Sequence, residues 1–193
     1  MEMAKHQKID EKNLVVTISG LHGTGKSTYA HAIAEEFNLT VVSAGELFRK
    51  ISKDKGISIE ELTKIAETDT SIDLEIDKRT KSEAKKGAVV LEGRLTGWMA
   101  KDMAHVKILL TAPDPVRFKR IAERENLTLK DAERITVFRE NRERKRFKEY
   151  YNIDLDDISI YDLIINTNKL PLKSCIKIIK EFIREYLIAE GGQ

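Results

Sequence analysis

Cysteine is almost missing from this chain: Cys175 is the only one in 193 residues. A disulfide framework and a Cys-rich metal site are both excluded, and a reducing compartment fits such usage. Proline and glycine are sparse, at three and ten residues, which excludes collagenous and low-complexity chains. Neither sign of charge dominates, because 34 Lys and Arg stand against 32 Asp and Glu, a net charge of +2. That balance gives no general pull toward nucleic acid or membranes, so any basic site must come from local clustering. No apolar run approaches the roughly 18 residues of a bilayer span, and Met1–Lys12 is polar without an apolar centre. Neither a transmembrane helix nor a signal peptide is expected. With 41% hydrophobic residues the chain can bury a core, and its length fits one domain of roughly 100–200 residues. A soluble cytoplasmic protein is the expectation.

Short β-branched runs alternate with longer stretches of helical spacing. Leu14–Ser19, Thr40–Val42, Ala88–Leu91, Val106–Leu110 and Asp162–Asn166 read as strands. Glu46–Lys53, Glu60–Lys86 with a break near Asp69, Pro115–Glu125, Leu129–Tyr151 and Leu172–Ala189 read as helices. This alternation predicts an α/β fold, a five-stranded parallel sheet with helices on both faces. Ligands of such a sheet lie beyond the C-terminal ends of its strands. Two segments look poor in core: the helical insertion between the second and third strands, and the run Arg139–Lys148, which carries six basic residues against two acidic.

Gly20-Leu21-His22-Gly23-Thr24-Gly25-Lys26-Ser27 matches GxxxxGK[ST] at every specified position. It follows an apolar strand and opens a helix that continues through Thr28, the context a phosphate-binding P-loop requires. Glycines let successive N–H groups turn inward on a phosphate at the positive end of a helix. Lys26 can bridge β- and γ-phosphates, and the Ser27 hydroxyl can ligate Mg2+. These residues predict a nucleoside triphosphate site. His22 is expected to be a spacer, and His6, His31 and His105 show no metal-ligand spacing.

Three further features bear on the acceptor. Ser43-Ala44-Gly45 precedes a helix that carries Arg49 one turn on. Glu92-Gly93-Arg94 ends the third strand, where an acid can hold Mg2+ and Arg94 enters the same crevice. Arg117, Arg120 and Arg124 lie at i, i+3 and i+7, on one helix face. Trp98 is expected to be a packing anchor.

With these residues in place, the chain resembles the nucleoside monophosphate kinases, most closely the archaeal type of cytidylate kinase. SAGELFR resembles the STGDxxR turn of adenylate kinases, and LEGR the LDG…R strand end. RIAER (Arg120–Arg124) resembles a stretch whose arginines contact ATP. Arg139-Glu140 with Glu143 and Arg146 resembles the R[DE]xx[DE]xxR lid of bacterial cytidylate kinases. EGRLTGWM and SIYDLIINTNKL resemble the archaeal members. The resemblance runs from about Val15 to Leu170 and implies a P-loop NTPase fold with three parts. These are a core of about 13–43, 87–123 and 160–190, a monophosphate-binding insertion of about 44–86, and an arginine-rich lid of about 124–152. The implied reaction is phosphorylation of CMP, and of dCMP, by ATP with Mg2+. Arg49 and Arg94 fall to the acceptor phosphate, Arg120 and Arg124 to ATP, and Arg139, Arg142 and Arg146 to the transferring group. Bacterial members carry an aspartate directly after the GR, where this chain has Leu95, so base recognition must differ. Asp73, Asp77 and Arg79 are the candidates. A monomer without nucleic-acid partners is expected. Adenylate, uridylate or shikimate-like kinases, and an RNA-associated P-loop ATPase, are the alternative readings.

Overall fold

The computed structural model describes residues 12–191. Expectations drawn from residues 1–11, the absence of a signal peptide and the role of His6 among them, lie outside the described residues.

Five parallel strands form one sheet in the order β2-β3-β1-β4-β5. They are β1 (Val15–Gly20), β2 (Thr40–Ser43), β3 (Val89–Gly93), β4 (Val106–Thr111) and β5 (Leu163–Asn166). β1 is central and buried along its whole length, as a β-branched run covered on both faces should be. Val16 and Ile18 of β1 join Ile33, Ile108, Ile179 and Ile183 in the main core. Val15 points the other way, to Leu91, Ala84 and Ala100. This is the period of two that a doubly covered strand imposes. Eight helices complete the described residues: α1 (Lys26–Glu36), α2 (Ala44–Asp54), α3 (Ile59–Ile65), α4 (Ser71–Lys86), α5 (Thr96–Met99), α6 (Asp114–Glu125), α7 (Leu129–Tyr151) and α8 (Leu172–Gly191). None is long and apolar enough to cross a membrane.

Because β1 pairs with β3 on one side and β4 on the other, the chain reverses its winding at the end of β1. A crevice opens there, the position that ligands of open α/β sheets occupy. Register places Glu92 beside Ile18 of β1 and opposite Ser43 of β2.

Neither segment expected to lack a core does so. The α2–α4 insertion closes on Phe48, Leu62, Ala66, Ile72 and Ile76. A capping box starts α3, with Ser58 Oγ accepting from Glu61 N at 3.1 Å and Glu61 Oε2 from Ser58 N at 2.8 Å. α7 buries Ala132, Thr136, Glu143, Arg146 and Phe147, and Phe147 packs with Leu95, Met99 and Trp98. Charged side chains do part of this packing, so the run looked solvated in the sequence while one of its faces is interior. Trp98 is the packing anchor expected of it.

Candidate active site

The P-loop joins β1 to α1 through backbone angles that favour glycine. Gly23 has φ +78°, and a Cβ there would meet the Arg117 carbonyl oxygen at 2.5 Å. Gly25, at φ +94°, starts α1 in the left-handed region. Thr24 Oγ1 donates to Leu21 O at 2.9 Å, and Lys26 Nζ donates to Gly20 O at 2.9 Å and Leu21 O at 3.0 Å. Gly20 and Leu21 therefore serve the site through their carbonyls. Beneath the loop, Arg120 donates to Gly23 O at 3.3 Å, to Thr167 Oγ1 at 3.0 Å and to Thr167 O at 3.1 Å. Arg120 thus braces the loop from below while it also lines the cavity beside the loop.

Burial pushes the Lys26 ammonium down to about 8, against the opposing pull of Glu92. A phosphate beside it would restore the charge, so above that pH the lysine must take up a proton as a polyphosphate binds. ATP affinity is therefore expected to fall as pH rises through 8. Calorimetric titration at pH 7 and 9 in buffers of different ionisation enthalpy checks both the affinity and the proton uptake.

Ser27 Oγ, in the first turn of α1, donates to Glu92 Oε1 at 2.9 Å, and Ser43 donates to the same oxygen. Ser43 also caps α2, accepting from Glu46 N at 3.0 Å. Glu92 is buried. A hydroxyl and a carboxylate oxygen beside a phosphate loop form an all-oxygen donor set, the type Mg2+ prefers.

The loop forms one wall of a cavity of about 940 Å³. His22, Gly23, Thr24, Gly25, Lys26, Ser27 and Thr28 line it from the loop side. Ala44, Gly45 and Arg49 line it from α2, and Asp73 and Asp77 from α4. Glu92, Gly93 and Arg94 enter from β3, Arg120 and Arg124 from α6, and Arg139 and Glu143 from α7.

At the centre of the far wall is Glu143, which the sequence offered as a motif position without a role. Its Oε2 accepts from Arg94 Nη1 at 2.5 Å and its Oε1 lies 3.7 Å from Arg139 Nη2. Burial opposes the Glu143 charge, but the hydrogen bond from His22 and the charges of Arg94 and Arg139 outweigh it and hold the carboxyl well below the usual range. Arg139 is pulled the other way. Burial, and then the charges of Arg49, Arg94 and Arg124, lower its affinity for its proton despite Glu143. Arg94 and Arg139 therefore share one carboxylate, and Arg49 and Arg124 lie close enough to act on the Arg139 charge. Arg94 Nη2 and Arg139 Nε are buried there without a hydrogen-bond partner. Buried donors of this kind normally have partners, which an anion reaching these side chains would supply.

Several predicted site residues sit elsewhere. Arg142 pairs with Glu67 of the insertion and lies over the Phe138 ring, away from the cavity wall. Arg146 is buried against Asp73, with Nε to Oδ2 at 2.5 Å and Nη2 to Oδ1 at 3.3 Å. Arg79 is exposed, because it falls about 200° around α4 from Asp77. Arg117 shares little with Arg120 and Arg124. It is fully buried and binds Asp114, Glu140 and the His22 carbonyl. His22 does more than space the loop, since its ring nitrogen lies within hydrogen-bond reach of Glu143. Tyr151, which donates to Asp77, went unread; its i+4 spacing from Phe147 signalled only packing.

Comparison with known proteins identifies the family and the fold. The description of the cytidylate kinase-like family matches residues 15–169. Cytidylate kinase of Staphylothermus marinus is 52% identical over 174 residues, covering 90% of this chain and 98% of that one. Its counterpart in Pyrococcus horikoshii is 47% identical over 170 residues, covering 88% of each. Among solved structures, shikimate kinase from Bacteroides thetaiotaomicron superposes with a TM-score of 0.60 at 13% identity, covering 89% of this chain and 98% of that one. This last likeness concerns the fold, a P-loop kinase fold. Since the match takes in the glycine loop, the strand-end arginine and the charged helix together, the chain belongs to the cytidylate kinase-like family.

Proposed function

We propose that the protein transfers the γ-phosphoryl group of ATP to the 5′-phosphate of CMP, and of dCMP. One observation carries the reading. The P-loop and the arginines Arg49, Arg94, Arg124 and Arg139 line a single cavity, and a buried N–H of both Arg94 and Arg139 lacks a partner.

The chemistry asks little of a base. The second pKa of a phosphate monoester is about 6, so the attacking oxygen is already an anion at neutral pH. The obstacle is repulsion between two polyanions. Like unit charges about 4 Å apart repel by roughly 1 kcal/mol in water and several times more in a dry site. Arg49, Arg94 and Arg139 offset that repulsion on the acceptor side, and Lys26 on the donor side. Arg124 reaches the triphosphate from α6. Ser27 and Glu92 would hold Mg2+, which neutralises β- and γ-oxygen charge when bound. Arg142 and Arg146 act through the α2–α4 insertion, which they tie to α7. We assign α2–α4 the role of monophosphate-binding insertion and α7 that of a lid. All the groups needed come from one chain, so a monomer suffices, working on the soluble nucleotides of the cytoplasm.

Asp77 is proposed to read the base. It lines the cavity beside Ile76, Leu95, Met99 and Phe147, apolar walls for a flat ring. Its carboxylate would accept from the 4-amino group of cytosine, where uracil offers only an oxygen. Asp77→Asn is expected to reduce the preference for CMP over UMP by roughly 10- to 100-fold, the worth of one charged hydrogen bond. Burial raises the Asp77 carboxyl to about 6, helped by the charge of Asp73 and opposed by the Tyr151 hydroxyl. A protonated Asp77 loses one acceptor, so kcat/KM for CMP falls as pH drops through 6. The phosphate of CMP titrates in the same range. The contribution of Asp77 is therefore the part of the pH profile that Asp77→Asn lacks.

The decisive test of the function is a coupled ADP-release assay with Mg-ATP against CMP, dCMP, UMP, AMP and shikimate. Turnover of CMP above the others is expected. Failure to phosphorylate any monophosphate would overturn the reading.

A further inference from the structure

The P-loop is fastened to α7 at a single residue, and it is one that the GxxxxGK[ST] pattern leaves free. His22 N–H donates to Glu140 Oε1 at 3.0 Å. Its carbonyl accepts from Arg117 Nη1 at 2.7 Å, and Arg117 Nη1 also donates to Glu140 Oε1 at 2.7 Å. The His22 ring reaches across to α7, with Nε2 lying 3.2 and 3.1 Å from the two oxygens of Glu143. Cradling a phosphate uses backbone N–H groups and needs no imidazole. Burial pushes His22 down to about 3, so at neutral pH the ring carries no charge and Nε2–H is a neutral donor to Glu143.

That neutrality matters for what Glu143 does next. A charged imidazole would compete with the arginines for the carboxylate, whereas a neutral one orients it. Held from the loop side, Glu143 grips Arg94 by Nη1 alone and faces Arg139 at Nη2. The other donors of the same groups, Arg94 Nη2 and Arg139 Nε, stay buried and unpartnered. One carboxylate thus bonds one fork and lies beside the other, and each fork keeps a buried N–H for an anion that reaches it. The contacts run without a gap from the donor loop through His22 and Glu143 to the arginines of the opposite wall.

We propose that the His22–Glu143 pair couples the two nucleotide sites, so that a triphosphate settled in the P-loop fixes Arg94 and Arg139 for the acceptor phosphate. The proposal rests on the nucleotide kinase reading above. Its physical basis is entropic. Arginine is a rotamer-rich side chain, and a ligand that orders the loop, and with it His22 and Glu143, removes part of this freedom before the second ligand arrives. Binding of either nucleotide then favours the other by the same factor, because linkage between two binding equilibria is reciprocal. His22 and Glu143 are positioning residues, and neither needs to touch a reacting atom.

The test is the dissociation constant of CMP measured by calorimetry with and without saturating β,γ-imido-ATP and Mg2+. The wild-type protein is expected to bind CMP about 5- to 20-fold more tightly with the analogue present. The affinity for the analogue should improve by the same factor when CMP is saturating. His22→Ala should bring that ratio close to one. His22→Gln, whose amide N–H can replace the imidazole donor, should retain most of it, a rescue that a general packing role would not produce. Should His22→Ala fail to fold, Glu143→Gln, which keeps the size but loses the charge, provides the same comparison. A wild-type ratio of one would overturn the proposal, as would an undiminished ratio in His22→Ala or in Glu143→Gln. CMP turnover by the same wild-type preparation separates the outcomes. Turnover with no synergy sinks the link alone, whereas no turnover sinks the kinase reading itself.

Discussion

Lys26→Met is expected to lower the rate of phosphoryl transfer by about a thousandfold while the protein stays folded. Methionine matches the length and apolar stem of lysine and removes only the ammonium. In the structure that ammonium occupies the mouth of the loop, held by the carbonyls of Gly20 and Leu21, where it can follow charge as it moves between β- and γ-oxygens. Losing one preorganised donor in a water-poor site typically costs 10²- to 10³-fold, and here the donor also carries a full charge. Stability should move the other way. Burial already lowers the affinity of Lys26 for its proton, so an uncharged residue there removes a desolvation penalty. The melting temperature should hold or rise by about 2 °C. Steady-state rates with saturating CMP, combined with a thermal melt, decide the matter. A variant that keeps a tenth of wild-type turnover would show that Lys26 is not the group that stabilises the transferring phosphoryl.

Arg117→Met carries the largest expected loss of stability. Arg117 is 1% exposed. It donates to Asp114 at 2.6 and 3.2 Å, to Glu140 at 2.7 and 3.2 Å, and to His22 O at 2.7 Å. Truncating it would strand Glu140 and a loop carbonyl without their donor. Removing one partner of a buried charge pair costs about 3–5 kcal/mol, which for a chain of this size lowers Tm by roughly 10 °C. Arg124→Met is the matched control. Its side chain is 54% exposed and pairs with its neighbour Glu125, and exposed pairs of this kind contribute little, so Tm should move by less than about 2 °C. Differential scanning calorimetry of both variants tests the contrast, and equal shifts would mean that Arg117 is as dispensable as Arg124.

The parts of the molecule that were legible in the sequence are those whose signal is local. The apolar run Leu14–Ser19, the GxxxxGK[ST] match and the helix after it lie side by side in the chain, and the structure keeps them so. Leu129–Tyr151 was readable to the residue because Thr128 caps it and Asn152, at φ +53°, ends it. Helix α5 escaped notice. It is four residues long with no side-chain cap, and nothing periodic can show in one turn.

The site was harder to read wherever charge goes inside. Arg117, Glu143 and Arg146 look in the sequence like any solvated residues of a mixed-charge helix, and each is buried. What makes burial tolerable is a partner far along the chain: His22 and Arg94 for Glu143, Asp73 for Arg146. No spacing rule reports such pairs. Asp73 and Asp77, by contrast, were candidates through their place in the insertion that the resemblance assigns to the monophosphate, and helical geometry explains why Arg79, named with them, is absent from the cavity.

The small apolar cluster inside α2, α3 and α4 has an evolutionary consequence. Phe48, Leu62, Ala66, Ile72 and Ile76 form one cluster, so the cavity-facing side chains of α4 rest on the insertion's own core and on Arg146 and Tyr151 of α7. Replacements there need not disturb the central sheet. Descendants of such a scaffold can drift from one nucleobase to another while the glycine cradle stays as it was.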